Sequence, residues 1–210
     1  MTQLEERIEG VKRSYPIPIG VGHEAALDVG CNLGAFPIAY KERFSRFCFL
    51  EASKQNYEAI KANLHMTEDT SRNKLTGLNL AAYSVSGIEL KLYEHSTRDN
   101  GSRSLLQHPE WLMDSYETVT TISFKDTLKI FNLGDVDYMK VDIEGGEYEY
   151  LMGQDLSMVG ALGIELHFQI GNKREELMEY LLRYFNPVRL ITIQFESSYH
   201  LEGIYARKKQ

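Results

Sequence analysis

The sequence predicts an α/β fold: a mostly parallel sheet with helices on both faces, closed by an antiparallel β-hairpin at its C-terminal end. Three observations lead there. Short apolar runs alternate with segments of helical period along most of the 210 residues, the pattern of repeated βα units. The first apolar run, Ala26-Leu27-Asp28-Val29, feeds directly into the glycine turn Gly30-Cys31-Asn32-Leu33-Gly34. The last two apolar runs are joined by a polar connection too short for a crossover, so they must pair antiparallel.

Taken in order, residues 25–29 read as the first strand, 35–44 as a helix and 47–51 as a second strand. Residues 54–64 form an amphipathic helix with Tyr57, Ile60 and Leu64 on one face. Two strand-like runs, 75–82 and 88–93, flank the turn residues Ser84-Val85-Ser86-Gly87 and are expected to form a hairpin that extends the sheet. Ser123 is placed to cap a helix running through 126–130. A buried strand over 138–143, a short helix over 147–152 and a strand over 160–166 follow. A long helix over 175–185 is expected to stop at Pro187, and strands over 190–195 and 201–207 form the hairpin. Residues 1–24 read as an N-terminal extension, and the whole chain, 1–210, as one domain.

The tips of the first two strands carry the first functional signal. Phe47-Cys48-Phe49-Leu50-Glu51 ends in a carboxylate about twenty residues after the glycine turn, and an acid there accepts both hydroxyls of a ribose. A dinucleotide fingerprint requires Gly-x-Gly-x-x-Gly so that a helix N-terminus meets a pyrophosphate. Asn32 stands where the second glycine belongs, and Asp28 would repel a pyrophosphate but attract a cationic amino-acid portion. S-adenosylmethionine, with its ammonium, sulfonium and adenosine, suits an acid, an open turn of Gly30, Asn32 and Gly34, and a ribose-binding Glu51. The competing reading is a tight turn before a helix, with Asp28 as its cap, Asn32 bracing the turn through its amide and Glu51 as a strand-end acid.

Asp28-Val-Gly-Cys-Asn-Leu-Gly34 together with Val136-Asp-Tyr-Met-Lys-Val-Asp-Ile-Glu-Gly-Gly-Glu147 resembles the FkbM-type S-adenosylmethionine-dependent methyltransferases. The second motif is the more specific, and the resemblance spans roughly residues 25 to 167. It implies the class I methyltransferase (Rossmann-like) fold and O-methylation of hydroxyl groups on sugars or polyketide-like products. It also implies that Ala81 and Ala82 end a strand beside the adenine, although a pair of alanines is equally ordinary strand packing.

Methyl transfer to oxygen is an in-line displacement that needs an aligned hydroxyl and a group to remove its proton. Strand alternation places Lys140 and Asp142 on one face, and Glu165 and His167 on a shared face near the end of the following strand. Two mechanisms compete for these acids. In one, Asp142, Glu144 or His167 takes the proton directly. In the other, Asp142 and Glu165 hold a divalent cation, magnesium or manganese, that acidifies the acceptor hydroxyl. Asp142 and Glu144 would also serve as helix caps, Glu147 reads as a bracing acid paired with an arginine, and Lys140 as a neutralising partner.

Residues 95–116 break the regular alternation and are expected to form a substrate loop. Trp111 is suited to stack on a sugar ring and Arg103 to bind hydroxyls, with Glu165 facing the same acceptor. Trp111 as a packing anchor in a surface loop is the alternative.

Composition narrows the partners. A net charge of -7 disfavours phosphate polyanions, so the expected acceptor is a small molecule or glycan rather than nucleic acid. No run is apolar enough to span a bilayer and the first residues lack a signal-peptide pattern, which points to the cytoplasm. Cys31 and Cys48 read as reduced packing residues, and the remaining histidines show no metal-ligand spacing. A nicotinamide-dependent oxidoreductase and a non-catalytic cofactor-binding module are the alternatives from other classes. Oligomeric state is not readable from the chain.

Overall fold

The computed structural model describes residues 3–65, 75–94, 103–106, 115–167, 173–194 and 200–208. Helix α1 (Gln3–Ser14) leads into β1 (Ala25–Val29), α2 (Ala35–Tyr40) with a 3-10 turn at Lys41–Arg43, β2 (Arg46–Leu50), α3 (Lys54–Asn63) and β3 (Leu75–Leu78). The short strand β4 (Ala81–Ala82), then β5 (Glu89–Glu94), β6 (Arg103–Ser104), β7 (Tyr116–Ile122) and α4 (Phe124–Ile130) come next. The chain continues through β8 (Tyr138–Val141), α5 (Glu147–Leu151), β9 (Ala161–His167) and α6 (Lys173–Leu181) to β10 (Phe185–Gln194) and β11 (His200–Lys208).

Seven strands form the main sheet in the order β10-β11-β9-β8-β1-β2-β3. The five from β9 to β3 are parallel, and β11 is antiparallel to both of its neighbours. The chain runs outward from β1 to β3, then returns to place β8 on the other side of β1. That reversal opens a crevice beyond the carboxyl ends of β1 and β8, where ligands bind in open parallel sheets. The glycine turn after β1 and the acidic turn after β8 both lie there.

Both faces of the central strands β1, β2, β8 and β9 are largely buried, which is why they read as mostly apolar runs. Leu27, Val29, Cys48, Leu50, Met139 and Val141 pack on one side with Phe124 and Leu128 of α4, Tyr150 and Leu151 of α5, and Leu177 and Tyr180 of α6. On the other side Ala26, Phe47 and Tyr138 meet Phe36 of α2 and the anchoring Tyr15 and Ile17. Phe49 joins Ile60 of α3. Ser53 and Ser123 cap α3 and α4, accepting from the backbone N–H of Asn56 and Asp126.

Three expectations are corrected. The hairpin expected between 75–82 and 88–93 does not form: β3 pairs with β2 in the main sheet, whereas β5 pairs with β7 and β6. The 75–82 run is broken so that Ala81–Ala82 pairs with β7 in a separate sheet of order β4-β7-β5-β6. Strand β7 was hidden in sequence by the irregular segment before it, although Thr118-Val119-Thr120-Thr121-Ile122 carries a clear β-branched signal. Pro187 does not end a helix; α6 stops at Leu181 and Pro187 lies inside β10, at a register shift in the edge strand, where a missing N–H is tolerated. The N-terminal extension contains α1, and no helix among the described residues is long and apolar enough to cross a membrane.

Candidate active site

The turn after β1 is built for close backbone approach. Gly30 has φ +83°, and a Cβ added there would come within 1.8 Å of the Asp142 carbonyl oxygen, so only glycine fits between the two turns. Asn32 also adopts a left-handed φ of 54°. Its backbone N–H donates to Glu51 Oε2 at 2.7 Å, while Glu51 Oε1 accepts from Ser53 N at 2.9 Å. Burial pushes the Glu51 carboxyl up to about 7, against the pull of those two N–H groups.

Glu51, Gly30 and Asn32 face a cleft of about 640 Å³ that also takes in Ala81, Ala82, Asn56, Asp142 and Glu144. Asn32 Oδ1 is buried and has no hydrogen-bond partner among the described residues. An acceptor left in that state wants a donor from a bound molecule. Asp28 lies deeper, fully buried, with Oδ1 3.1 Å from Lys140 Nζ. The Lys140 ammonium also donates to the Gly30 carbonyl at 3.0 Å and lies 3.5 Å from Asp142 Oδ2, so it neutralises the acids beneath the turn as its sequence position suggested.

A second polar cluster follows β8 and β9. The Tyr15 hydroxyl sits 3.0 Å from Asp142 Oδ2 and 2.7 Å from Glu165 Oε2. One phenol has one proton for two carboxyls. Burial and then the Asp142 charge raise the Glu165 carboxyl above its ordinary value. Glu144 adopts φ 54° and is held by Ser104, whose hydroxyl donates to the Glu144 carbonyl at 2.6 Å. Burial pushes the Glu144 carboxyl up to about 7, against the pull of His167.

His167 lies between two acids, with Nε2 3.3 Å from Glu144 Oε2 and Nδ1 3.0 Å from Glu147 Oε1. Burial works to lower its pKa, but the charges of Glu144 and Glu147 more than reverse this, and the imidazole is held well above its usual value. Glu147 also accepts from the Ile143 and Gly145 N–H groups, so it, rather than Asp142 or Glu144, caps the turn into α5, and its partner is a histidine instead of an arginine. Asp142, Glu144 and His167 each offer one ligand atom within 4.8 Å of the others. The cation pair expected from sequence, Asp142 and Glu165, is instead bridged by the Tyr15 hydroxyl.

The family model of the methyltransferase FkbM domain matches residues 28–190. The chain belongs to the FkbM methyltransferase family. No curated protein sequence matches it. Among solved structures, the FkbM methyltransferase from Methylobacillus flagellatus KT superposes with a TM-score of 0.56 at 17% identity, over 87% of this chain and 44% of that one. M. capricolum TrmK, solved with S-adenosylhomocysteine, gives a TM-score of 0.55 at 10% identity, over 97% of this chain and 68% of its own. An rRNA methylase from Streptococcus thermophilus gives 0.52 at 8% identity, over 100% and 98%. At such identities these likenesses concern the fold. This FkbM methyltransferase is therefore an S-adenosylmethionine-dependent enzyme of the class I fold.

The remaining sequence candidates separate. Gly34 caps α2 with φ +85°. Arg103 lines the cleft, but its guanidinium lies 2.7 Å from Glu94 and 3.2 Å from Glu117, which makes it a strut of the small sheet. Trp111 and most of the 95–116 loop lie outside the described residues. Cys31 and Cys48 are buried and unbridged, and burial raises both thiols above their ordinary values, away from any nucleophilic role. Sequence reasoning missed Tyr15, which reaches the acids from more than a hundred positions away and carries no local signal.

Proposed function

We propose that this FkbM methyltransferase is an O-methyltransferase acting on a small hydroxylated acceptor, a sugar or glycan first. The observation that carries the reading is Glu144, a cleft-lining carboxyl raised to about 7. An alkyl hydroxyl is a weak nucleophile, and a base whose pKa lies near the working pH combines availability with strength. Bound S-adenosylmethionine supplies an electrophilic methyl on a positively charged sulfur. Glu144 takes the acceptor hydroxyl proton as the new O–C bond forms and the methyl–sulfur bond breaks, its electron pair staying on sulfur so that S-adenosylhomocysteine leaves, and the 24% exposed Glu144 side chain releases the proton to solvent. His167, pinned by Glu147, holds Glu144 in place and balances its charge rather than acting as the base. Asp142, oriented by Tyr15 and Lys140, faces the cofactor end of the cleft, and Glu51, Gly30, Asn32, Ala81 and Ala82 form the nucleoside wall, with Gly34 closing the turn behind them at the start of α2.

A second reading has one specific support: the ligand atoms of Asp142, Glu144 and His167 lie close enough to hold a divalent cation. His167 would first have to surrender its proton. For the acceptor, the net charge of -7 favours a neutral sugar over a polyanion, and Trp111 and Glu165 are assigned to its binding. A methyl-donor assay over sugars, glycosides and simple alcohols, with oligonucleotides as a separate arm and products read by mass, tests this. The expected result is a gain of one methyl on a sugar hydroxyl, undiminished by EDTA. Loss of that activity in EDTA and its return with magnesium or manganese would favour the cation reading. Methylation confined to RNA would overturn the proposal.

A further inference from the structure

A second cavity, with about 630 Å³ of empty space, opens on the N-terminal side of the glycine turn and shares Gly30, Asn32 and Asp142 with the nucleoside cleft. Its far wall is α1. Arg7, Gly10, Val11 and Ser14 line it, the i, i+3, i+4, i+7 positions of one helical face. Such an inward face in a helix serving only to pack would be apolar. This one instead offers a guanidinium, a hydroxyl and a bare glycine, and a Cβ added at Gly10 would meet nothing within 4 Å. Lys140 also reaches this wall, but its ammonium is directed at Asp28, the Gly30 carbonyl and Asp142. Arg7 is the other cation lining the cavity. The same cavity is lined by acceptors for a positive group, Asp142 and Asn32, whose Oδ1 is buried without a partner among the described residues.

A cation and acceptors facing one space, continuous with a nucleoside cleft, suit a zwitterionic tail. We propose that α1 completes the cofactor site, with Arg7 binding the α-carboxylate of the cofactor's amino-acid portion while Asn32 Oδ1 and Asp142 receive its ammonium. This rests on the placement of the nucleoside against Glu51. The contribution comes from a helix that precedes the matched family domain, residues 28–190. It also gives the ammonium a different partner from Asp28, which the structure buries against Lys140.

Calorimetric titration separates the parts. S-adenosylhomocysteine carries the whole tail, decarboxylated S-adenosylmethionine lacks the carboxylate, and 5'-methylthioadenosine lacks the tail altogether. Arg7→Ala should weaken S-adenosylhomocysteine roughly tenfold to hundredfold, the range of a charge-assisted pair, and change the other two ligands less than about twofold. Arg7→Lys should recover part of the loss, and Lys12→Ala on the exposed face of α1 should change nothing. Unaltered S-adenosylhomocysteine affinity in Arg7→Ala, or an equal loss for all three ligands, would overturn the assignment of Arg7. Wild-type protein that binds none of the three would instead overturn the nucleoside site itself.

Discussion

The backbone N–H of Asn32 donates to Glu51 Oε2 at 2.7 Å, tying the turn after β1 to the tip of β2. A single carboxyl thus shapes the glycine turn and faces the cleft proposed for the nucleoside. With its pKa pushed up to about 7 by burial, Glu51 is largely neutral in mild acid and becomes a full acceptor as pH rises. S-adenosylhomocysteine should therefore bind more tightly as pH climbs from 6 to 8, by roughly tenfold if only the carboxylate binds. Glu51→Gln should remove that slope, and calorimetry at both pH values checks it.

On the proposed mechanism Glu144 governs turnover rather than affinity. Its carboxyl is also raised to about 7, so the base form appears as pH rises, and kcat should rise through pH 7 and level off above it. Glu144→Gln should lower kcat by about 10²–10⁴ and flatten the profile, with cofactor affinity little changed. A full pH–rate series on both proteins is the measurement.

Tyr15→Phe removes the one proton shared by Asp142 and Glu165. Unfolding in urea should show a loss of about 1–3 kcal/mol at pH 8. The hydroxyl's hydrogen bond holds the Glu165 pKa down, so its removal raises that pKa further. A carboxyl with a raised folded-state pKa adds stability below its unfolded value and loses it as pH rises through the folded one. The penalty of Tyr15→Phe should accordingly be smaller at pH 5 than at pH 8.

Lys140→Met would leave Asp28 fully buried without its ammonium. Removing one partner of such a pair costs about 3–5 kcal/mol, so the variant should unfold at much lower urea concentration. The double variant Asp28→Asn with Lys140→Met should recover part of the loss, which a urea series on the three proteins would show.

How much was legible in the sequence follows from how local each signal is. The turn from Asp28 to Gly34 and the acid at Glu51 could be read because left-handed backbone and a strand-end carboxylate are written into a few adjacent residues. The parallel core was readable because burial on both faces leaves largely apolar runs such as Phe47–Leu50. What local pattern could not show is which charged groups meet: Lys140 with Asp28, His167 with Glu147, Tyr15 with Asp142 and Glu165. Those pairings depend on strand order and on a helix whose apolar residues Leu4, Ile8 and Val11 are too sparse to announce it. Pro187 misled because proline breaks helices and interior strands alike, yet an edge strand accommodates it.

The placement of the nucleoside is tested most directly by a crystal structure of the protein with S-adenosylhomocysteine. The account predicts both ribose hydroxyls within hydrogen-bond distance of Glu51 and the adenine beside Ala81 and Ala82. Ligand density away from β1 and β2, or a ribose that does not touch Glu51, would contradict it.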